Sequence, residues 1–309
     1  MSDAKTKKFT FGNHSFDADN LNKNFFGKAG ITKGDLVDYY ERISPIMLPH
    51  LKDRALNMQR APDGLKGDIF YQQEKPDYFP KWVESRKLKK QDGGSVEHVV
   101  CNNKATLIYL ADQACVTQHT WLSKTNKPRH PDRIVFDLDP PSSKDFAAVA
   151  FAARKIRDLL QKLGAEPFIM LTGSEGAHVV IPIKPNSTFK QTREFASDVA
   201  HVLAKQYPDR LTVQHRIAKR RGRLFLDYLR NSYGQTTVAP YAVRLKENAP
   251  VAVPIEWKEL TSSMTARKYN TRNIFRRISS KTDPWKNMDR HKKDVKQLKE
   301  KLEKYRSSS

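Results

Sequence analysis

The segment Asp132–Pro141, DRIVFDLDPP, constrains the fold more than any other part of the chain. Its apolar centre predicts a buried strand, and side chains alternate along a strand, so Asp137 and Asp139 emerge on the same face. Two carboxylates held this close repel each other unless a cation lies between them, and a hard divalent metal ion is the natural one. Pro140 and Pro141 then end the strand. The sequence therefore predicts a strand with a metal-binding pair at its tip.

A structural alternative is that one of these acids caps the following helix and the other pairs with an arginine. A third acid favours the metal, because Asp227 lies within LFLDYL, a second apolar strand. A lone buried aspartate is costly unless it is paired or ligates a metal. Three acids that converge from two strands are what a two-metal phosphoryl-transfer site needs.

The segments around Asp137 and Asp139 alternate between strand and helix periodicity. In chain order we predict a strand at 133–139, a helix at 146–164, hairpin strands at 167–172 and 178–183, a helix at 188–207 and a strand at 223–229. This order is the split βαβ arrangement of ferredoxin-like and RNA-recognition-like folds, so the predicted fold class is α+β. The first and third strands of such a sheet are central neighbours, which places the acidic pair beside the strand that His178 opens.

The rest of the chain divides, by prediction, into an N-terminal module and two ends. The predicted parts are a flexible tail at 1–8, an accessory α/β module at 9–115, the catalytic module at 116–289 and a charged, helical C-terminal tail at 290–309. Within the accessory module we predict a helix at 33–46, strands at 67–72 and 96–102, and a helix or strand at 105–114.

Charge indicates the kind of partner. The chain has 309 residues, with 56 Lys and Arg against 34 Asp and Glu, a net charge of +22, and 38% apolar residues. The apolar content is enough for a core, and the basic surplus makes nucleic acid the first partner to expect. No stretch approaches the about 18 apolar residues of a spanning helix, and no apolar signal core follows the N-terminus, so we expect an intracellular protein without a membrane partner. The two cysteines, Cys101 and Cys115, fit a reducing compartment as buried thiols.

Further polar clusters are candidates for phosphate binding. The turn 172–178, TGSEGAH, can offer backbone N–H groups, a hydroxyl and the His178 imidazole to phosphate oxygens, although a plain turn with an incidental histidine is the alternative. His119, taken alone, is more often structural. Basic clusters at 86–90, in a predicted loop, and at 216–223 can grip a phosphodiester backbone, and Phe70 and Tyr71 either stack on an unpaired base or pack in the core.

Several separate motifs resemble the polymerase domain of bacterial ligase D, in the archaeo-eukaryotic primase superfamily, including its stand-alone forms. The motifs are TKGDLVDYY from Thr32, DLDP from Asp137, the turn that ends at His178, TTVAPYAVR from Thr236 and DPW from Asp283. The resemblance runs from about Asn20 to Met288. It implies a DNA-directed nucleotidyltransferase that extends 3′-hydroxyl ends at gaps and double-strand breaks in non-homologous end joining, with NTPs or dNTPs.

The resemblance also implies roles for individual residues. Two Mn²⁺ or Mg²⁺ ions would be held by Asp137, Asp139 and Asp227. The incoming nucleotide would be bound by His119, Thr172, Ser174, His178 and Arg244. A 5′-phosphate at the gap would be bound by Asn20, Lys23 and Lys33. DNA would be bound by Phe70, Tyr71, Arg86, Lys87, Lys89, Lys90, Arg216, Lys219, Arg220 and Arg221.

One position departs from the family pattern. Glu175 occupies the turn where the family usually has a lysine, which removes a phosphate-seeking charge. The resemblance also implies a separate DNA ligase and a Ku-type end-binding protein as partners, in the cytoplasm of a prokaryote at the nucleoid.

Two rival functions stay open at this point. One is a haloacid-dehalogenase-like phosphohydrolase with Asp137 as nucleophile, and the other is a non-catalytic RNA-binding module. The first gives no reason for the net charge of +22. The second expects aromatic side chains on the central strands, where this chain has acids.

Overall fold

The computed structural model describes residues 6–140, 142 and 145–308. The predicted tail at 1–5, the strand-ending role of Pro141 and a capping role for Ser143 therefore lie outside the described residues. The chain forms two compact units. The first unit contains residues 6–121, 236–252 and 269–279, and the second unit contains the described residues of 122–235, 253–268 and 280–308.

The strands, in chain order, are β1 (Lys7–Phe11), β2 (His14–Ala18), β3 (Leu56–Arg60), β4 (Phe70–Gln72), β5 (Ser85–Lys89), β6 (Ser95–Val99), β7 (Cys115–Trp121), β8 (Arg133–Asp139), β9 (Phe168–Leu171), β10 (Ala177–Pro182), β11 (Leu211–Thr212), β12 (Leu224–Asp227), β13 (Thr236–Val238) and β14 (Val253–Ile255). The helices are α1 (Lys33–Leu51), α2 (Lys104–Asp112), α3 (Phe146–Lys162), α4 (Phe189–Gln206), α5 (Ile217–Arg220), α6 (Ile274–Ser280) and α7 (Val295–Ser307).

The second unit is built on a six-stranded sheet in the order β11-β12-β8-β10-β9-β14. β8 lies between β12 and β10 and is antiparallel to both, while β11 runs parallel to β12. The four inner strands and the helices α3 and α4 have the split βαβ order, so the α+β prediction and the predicted neighbours β8 and β10 are confirmed. β11 and β14 extend the sheet at its two edges.

The helices of the second unit form where their apolar spacing and caps predict. In α3 the side chains of Val149, Ala153 and Ile156 recur at helical spacing and are buried. The Asp145 carboxylate caps this helix by accepting a hydrogen bond from the Ala148 N–H, at 3.0 Å. The structure therefore assigns the capping role to Asp145.

The charged segment near the C-terminus is a packed helix. α7 buries Val295, Leu298 and Leu302 on one face and packs against α4. The helical prediction is confirmed, but the description as a tail is wrong at 295–307, because this apolar face gives the helix a place on the second unit.

The first unit contains a four-stranded sheet in the order β13-β7-β3-β4 and two separate hairpins, β1 with β2 and β5 with β6. α1 begins at a capping box formed by Thr32 and Asp35 and continues past the predicted end at 46. It passes through Pro45 and Pro49 because its last turns bury Met47, His50 and Leu51. The alternative of helix or strand at 105–114 is decided in favour of the helix α2.

Two predictions about basic segments are wrong. Lys7 and Lys8 belong to β1 and not to a flexible tail. The basic cluster at 86–90 is mostly strand and not loop, because β6 offers it a hydrogen-bonding partner and Leu88 is buried; Lys87 stands opposite Glu97. Among the described residues, no helix has both the length and the apolar character that a membrane span requires.

Candidate active site

The three predicted aspartates come together on the central strands of the second unit. Asp137 stands directly opposite Asp227 on β12 and directly opposite His178 on β10. Directly opposed residues point to the same face of a sheet, so these three side chains form one row across three strands. Asp139 lies on that face two residues further along β8.

Asp137 is the most enclosed of the three acids and is in contact with an imidazole and a guanidinium. Its Oδ1 lies 3.2 Å from Nε2 of His178, and its Oδ2 accepts a hydrogen bond from Nε of Arg230 at 3.4 Å. Burial opposes its ionisation, but His178 and Arg230 outweigh burial and lower its pKa. Asp137 is therefore held as a carboxylate.

The pKa values of the other two acids are shifted in the opposite direction. Burial and the charge of Asp137 raise the pKa of Asp139 to about 6. Burial also raises the pKa of Asp227, with a smaller contribution from Asp137. Carboxylates that resist ionisation because of one another are stabilised by a shared cation, so this set of donors fits a divalent metal ion.

In this structure the three carboxylates are not arranged as a complete set of metal ligands. Across residues 6–140, 142 and 145–308, no group of three or more His, Cys, Asp or Glu side chains is arranged to hold a metal ion. Arg230 explains part of this, because its Nε lies 3.4 Å from Asp137 Oδ2 and 3.9 Å from Asp227 Oδ2. The other oxygen of Asp227 accepts a hydrogen bond from the Leu229 N–H at 2.7 Å. A metal ion bound here would have to displace the guanidinium.

The predicted phosphate-binding turn lies at the same edge of the sheet. Gly176 packs so closely on β8 that a Cβ atom there would stand 1.8 Å from the Leu138 carbonyl oxygen and 3.2 Å from Asp139 Oδ1. Only glycine allows this approach. The Thr172 hydroxyl donates to the Gly176 carbonyl at 3.0 Å and accepts from the N–H groups of Ser174 and Gly176, both at 3.3 Å. A phosphate bound by these two N–H groups would have to replace the Thr172 hydroxyl, and phosphate binding by the turn stays a prediction.

Two predicted nucleotide-binding residues belong to the first unit. His119 lies on β7, opposite Asn57 of β3 and Val238 of β13, and is 9% exposed. Arg244 follows β13, and its N–H donates to the Pro250 carbonyl at 2.7 Å. The predicted set of five nucleotide-binding residues is thus divided between the two units.

The two aromatic residues of β4 point to opposite faces, as neighbours on a strand must. The Tyr71 ring lies 5.5 Å from the His119 ring, whereas Phe70 lies beside the Arg60 guanidinium at 5.8 Å. Both rings are exposed, Phe70 by 41% and Tyr71 by 56%. Either ring can contact a base, but the two do not form one stacking surface.

The three residues predicted to bind a 5′-phosphate are neighbours in the first unit. The Lys23 N–H donates to the Asn20 carbonyl at 2.9 Å, and the Lys33 N–H donates to the Lys23 carbonyl at 2.8 Å. Both ammonium groups have acidic partners: Lys23 pairs with Asp63, and Lys33 pairs with Asp19 at 2.9 Å and with Asp112 at 2.7 Å. A phosphate bound here would compete with those carboxylates.

The basic residues predicted to contact DNA are mostly exposed. On β5 and just after it, Arg86, Lys87, Lys89 and Lys90 are all exposed. Around α5 the exposed members are Arg216, Lys219 and Arg221. Arg220 differs, because its guanidinium donates to the carbonyls of Gln214 and His215 at 3.1 and 2.9 Å and lies 4.3 Å from the Phe225 ring. Arg220 therefore stabilises the conformation of the segment around α5.

Comparison with known proteins identifies a family whose members share this sequence pattern and fold. Residues 32–285 match the family described as LigD, primase-polymerase domain. The chain belongs to this family. LigD primase-polymerase domains are nucleotidyltransferases that need divalent metal ions, so the protein is an enzyme of that class.

The relatives agree with this family across most of the chain. The bifunctional non-homologous end joining protein LigD of Bacillus subtilis (strain 168) is 35% identical over 275 residues, which are 89% of this chain and 44% of that protein. The multifunctional protein LigD of Pseudomonas aeruginosa is 30% identical over 257 residues, 82% of this chain and 30% of that protein. The chain thus spans less than half the length of these relatives.

A solved structure matches the fold directly. It is the polymerase domain from Mycobacterium tuberculosis ligase D in complex with DNA, with a TM-score of 0.82 and 28% identity. The match covers 88% of this chain and 96% of that domain. The resemblance found in the sequence motifs is thereby confirmed, and neither the phosphohydrolase nor the RNA-binding module is favoured.

Sequence reasoning within the LigD family pattern did not find Arg230. This residue follows Asp227 by three positions, after β12 has ended, so strand periodicity gives no indication that its side chain turns back toward the acids. A basic residue shortly after a buried acid is the available signal, but in a chain with 56 lysines and arginines that signal is weak.

Proposed function

We propose that this chain extends the 3′-hydroxyl end of DNA at gaps and double-strand breaks in non-homologous end joining, with NTPs or dNTPs as substrates. The observation that supports this most is the row formed by Asp227, Asp137 and His178 beside the turn 172–178. The family assignment supplies the reaction class, and the names of the relatives support the repair pathway. The basic surface supports DNA as the polymer.

In this proposal the 3′-hydroxyl attacks the α-phosphorus of the nucleotide and pyrophosphate leaves. Asp137, Asp139 and Asp227 would hold divalent ions, with Mg²⁺ or Mn²⁺ as the candidates, and such ions lower the pKa of the hydroxyl and neutralise the triphosphate. His178 contacts Asp137 through its Nε2, and the Ser174 hydroxyl is proposed to bind a phosphate oxygen. His119 and Arg244 of the first unit stay nucleotide-binding residues by prediction only.

Primer extension on a gapped duplex with a divalent ion and nucleotides tests this function. Wild-type protein should extend the primer, and Asp137→Ala should not. Asp209→Asn, which alters an exposed acid of the second unit, is the control and should extend the primer normally. Equal extension by wild type and Asp137→Ala would refute the assignment. Template-independent release of phosphate would instead indicate a hydrolase.

We also propose that Asn20, Lys23 and Lys33 recognise the 5′-phosphate on the downstream side of a gap. Their backbone hydrogen bonds bring them together at the beginning of α1, where the helix dipole favours an anion. Lys23 is the better residue to test, because 40% of its side chain is exposed. Lys23→Ala should bind phosphorylated and unphosphorylated gaps equally, whereas Lys28→Ala should keep the preference.

The proposed partners are a DNA ligase that seals the extended end and a Ku-type protein that binds the broken end, in the bacterial cytoplasm at the nucleoid. The names of the relatives support this pathway. Joining of a gapped, Ku-bound DNA end should require this chain together with ligase activity, and joining that is equally efficient without this chain would contradict the proposal.

A further inference from the structure

Arg267 brings a guanidinium to the turn 172–178 from a distant part of the second unit. Its Nε donates to the Ser174 carbonyl at 2.9 Å, and its Nη2 lies 4.0 Å from Glu175 Oε1. The side chain is 45% exposed. The Arg267 side chain is therefore partly exposed to solvent while its Nε is hydrogen-bonded to the turn.

The segment that carries Arg267 is anchored in the second unit. Leu260, Met264 and Ala266 are buried. In addition, Nη2 of Arg154 on α3 donates to the Leu260 carbonyl at 2.7 Å. These contacts hold the backbone on either side of Met264, so the Arg267 side chain reaches the turn from an anchored segment.

The turn has few other groups that attract an anion. The N–H groups of Ser174 and Gly176 already donate to Thr172. The His178 imidazole is in contact with Asp137. Glu175 adds a negative charge next to Gly176, which packs against β8 close to Asp139. A polyphosphate that approaches this turn therefore meets acids from two directions and requires a positive group.

We infer that Arg267 binds the β- and γ-phosphates of the incoming nucleotide, and that Glu175 and the Ser174 carbonyl orient its guanidinium. This inference rests on the proposed polymerase function. An arginine has five N–H donors in a rigid plane, so Nε can hold the turn while the outer nitrogens bind a phosphate in bidentate geometry. Glu175 is thereby the positioning residue for a cation supplied by residue 267.

Binding of a nucleoside triphosphate and of the matching monophosphate tests the inference. Both are titrated into the full chain with Mn²⁺, and dissociation constants are compared. Arg267→Gln should weaken triphosphate binding by about tenfold, the scale of a charge-assisted contact, and monophosphate binding by less than about twofold. Arg193→Gln removes the same charge from an exposed site on α4 and should change neither constant.

Two further variants separate charge from folding. Arg267→Lys keeps the charge, so it should still prefer triphosphate over monophosphate. Arg267→Gln combined with Glu175→Lys returns a cation to the turn and should recover most of the lost triphosphate affinity. Thermal melting of each variant checks that it is folded.

The outcomes are distinct. If wild type binds triphosphate and Arg267→Gln binds it equally well, or if the variant loses triphosphate and monophosphate affinity to the same extent, the role of Arg267 is refuted and the polymerase function stands. If wild type binds no nucleoside triphosphate in the presence of Mn²⁺, both the proposed function and this inference fail.

Discussion

The ammonium group of Lys33 lies 2.7 Å from the carboxylate of Asp112, and both side chains are almost fully buried, with 6% and 4% exposed. Burial raises the pKa of Asp112 even though Lys33 acts in the opposite direction. Burying this pair costs desolvation free energy, and each charge is stabilised in the interior only by its partner.

Replacing Lys33 with methionine should destabilise the protein strongly. Asp112 would be left buried without its cation, which costs about 3–5 kcal/mol. Lys23→Met is the matched control: its ion pair is exposed, so the loss should be below about 1 kcal/mol. Urea unfolding measures both. Asp112→Leu added to Lys33→Met should recover more than half of the loss, and a double variant as unstable as Lys33→Met would contradict this account.

Gly176→Ala should abolish nucleotide binding. The added Cβ would overlap the Leu138 carbonyl oxygen, so the turn would have to move away from β8 and Asp139. We expect a loss of stability of about 1–3 kcal/mol, the range for overpacking. Gly234→Ala is the comparison for binding, because beyond its chain neighbours no atom of the described structure lies within 4 Å of its added Cβ; with φ at +78° it also loses stability through backbone strain. Both variants are measured by thermal melting and by nucleotide titration, and only Gly176→Ala should lose binding.

Much of the second unit could be predicted because the sequence signals for its helices and strands are local. The β8 strand, the α3 and α4 helices and the β9–β10 hairpin each have strong periodicity and clear end signals, and their order fixes which strands are neighbours. The basic segment that forms β5 was predicted as loop because its pairing with β6 depends on a partner strand, which a charge pattern does not reveal.

The site was predictable only where residues share a strand or a turn. Asp137 and Asp139 are two positions apart, so strand alternation places them on one face. The contact between Arg267 and Ser174 joins residues 93 positions apart, and no periodicity links them. Such long-range contacts arise from packing, which the order of elements does not specify.

Removing the Arg230 guanidinium should tighten metal binding. Arg230 lies between Asp137 and Asp227, where it competes with a divalent ion for their oxygens. Arg230→Gln should bind Mn²⁺ roughly fivefold more tightly, a modest effect because the arginine is exposed to water. Electron paramagnetic resonance of free Mn²⁺ measures the affinity, with Arg193→Gln as control. Weaker binding by Arg230→Gln would show that the arginine supports the site.

The free energy of unfolding should fall as the pH drops below the pKa of an ordinary histidine side chain. His98 is 2% exposed, and burial lowers its pKa although its Nδ1 lies 3.1 Å from the Leu56 carbonyl oxygen. Below about pH 6.5 the unfolded chain takes up a proton that the folded chain resists, so unfolding becomes easier. Melting temperatures at pH 7.5 and pH 5.5 should differ less in His98→Asn than in wild type. His201→Asn, at an exposed site, should leave the difference unchanged.

Neither cysteine should react with a thiol reagent while the chain is folded. Cys101 and Cys115 are buried, and burial raises the pKa of both thiols, that of Cys115 to about 12. Only thiolates react, and at neutral pH neither residue forms one. A colorimetric thiol assay should detect no groups in native protein and two after denaturation. Rapid modification of the native protein would show that a thiol is accessible.

The alternation of the chain between its two units restricts how a gene of this kind can be rearranged. β13, the neighbour of β7, is encoded more than a hundred codons after β7, and β14 begins 15 codons after β13 ends but belongs to the other sheet. Any continuous stretch of coding sequence that covers the whole of one unit therefore also covers strands of the other unit. Neither unit can be exchanged as a single cassette that leaves the other unit untouched.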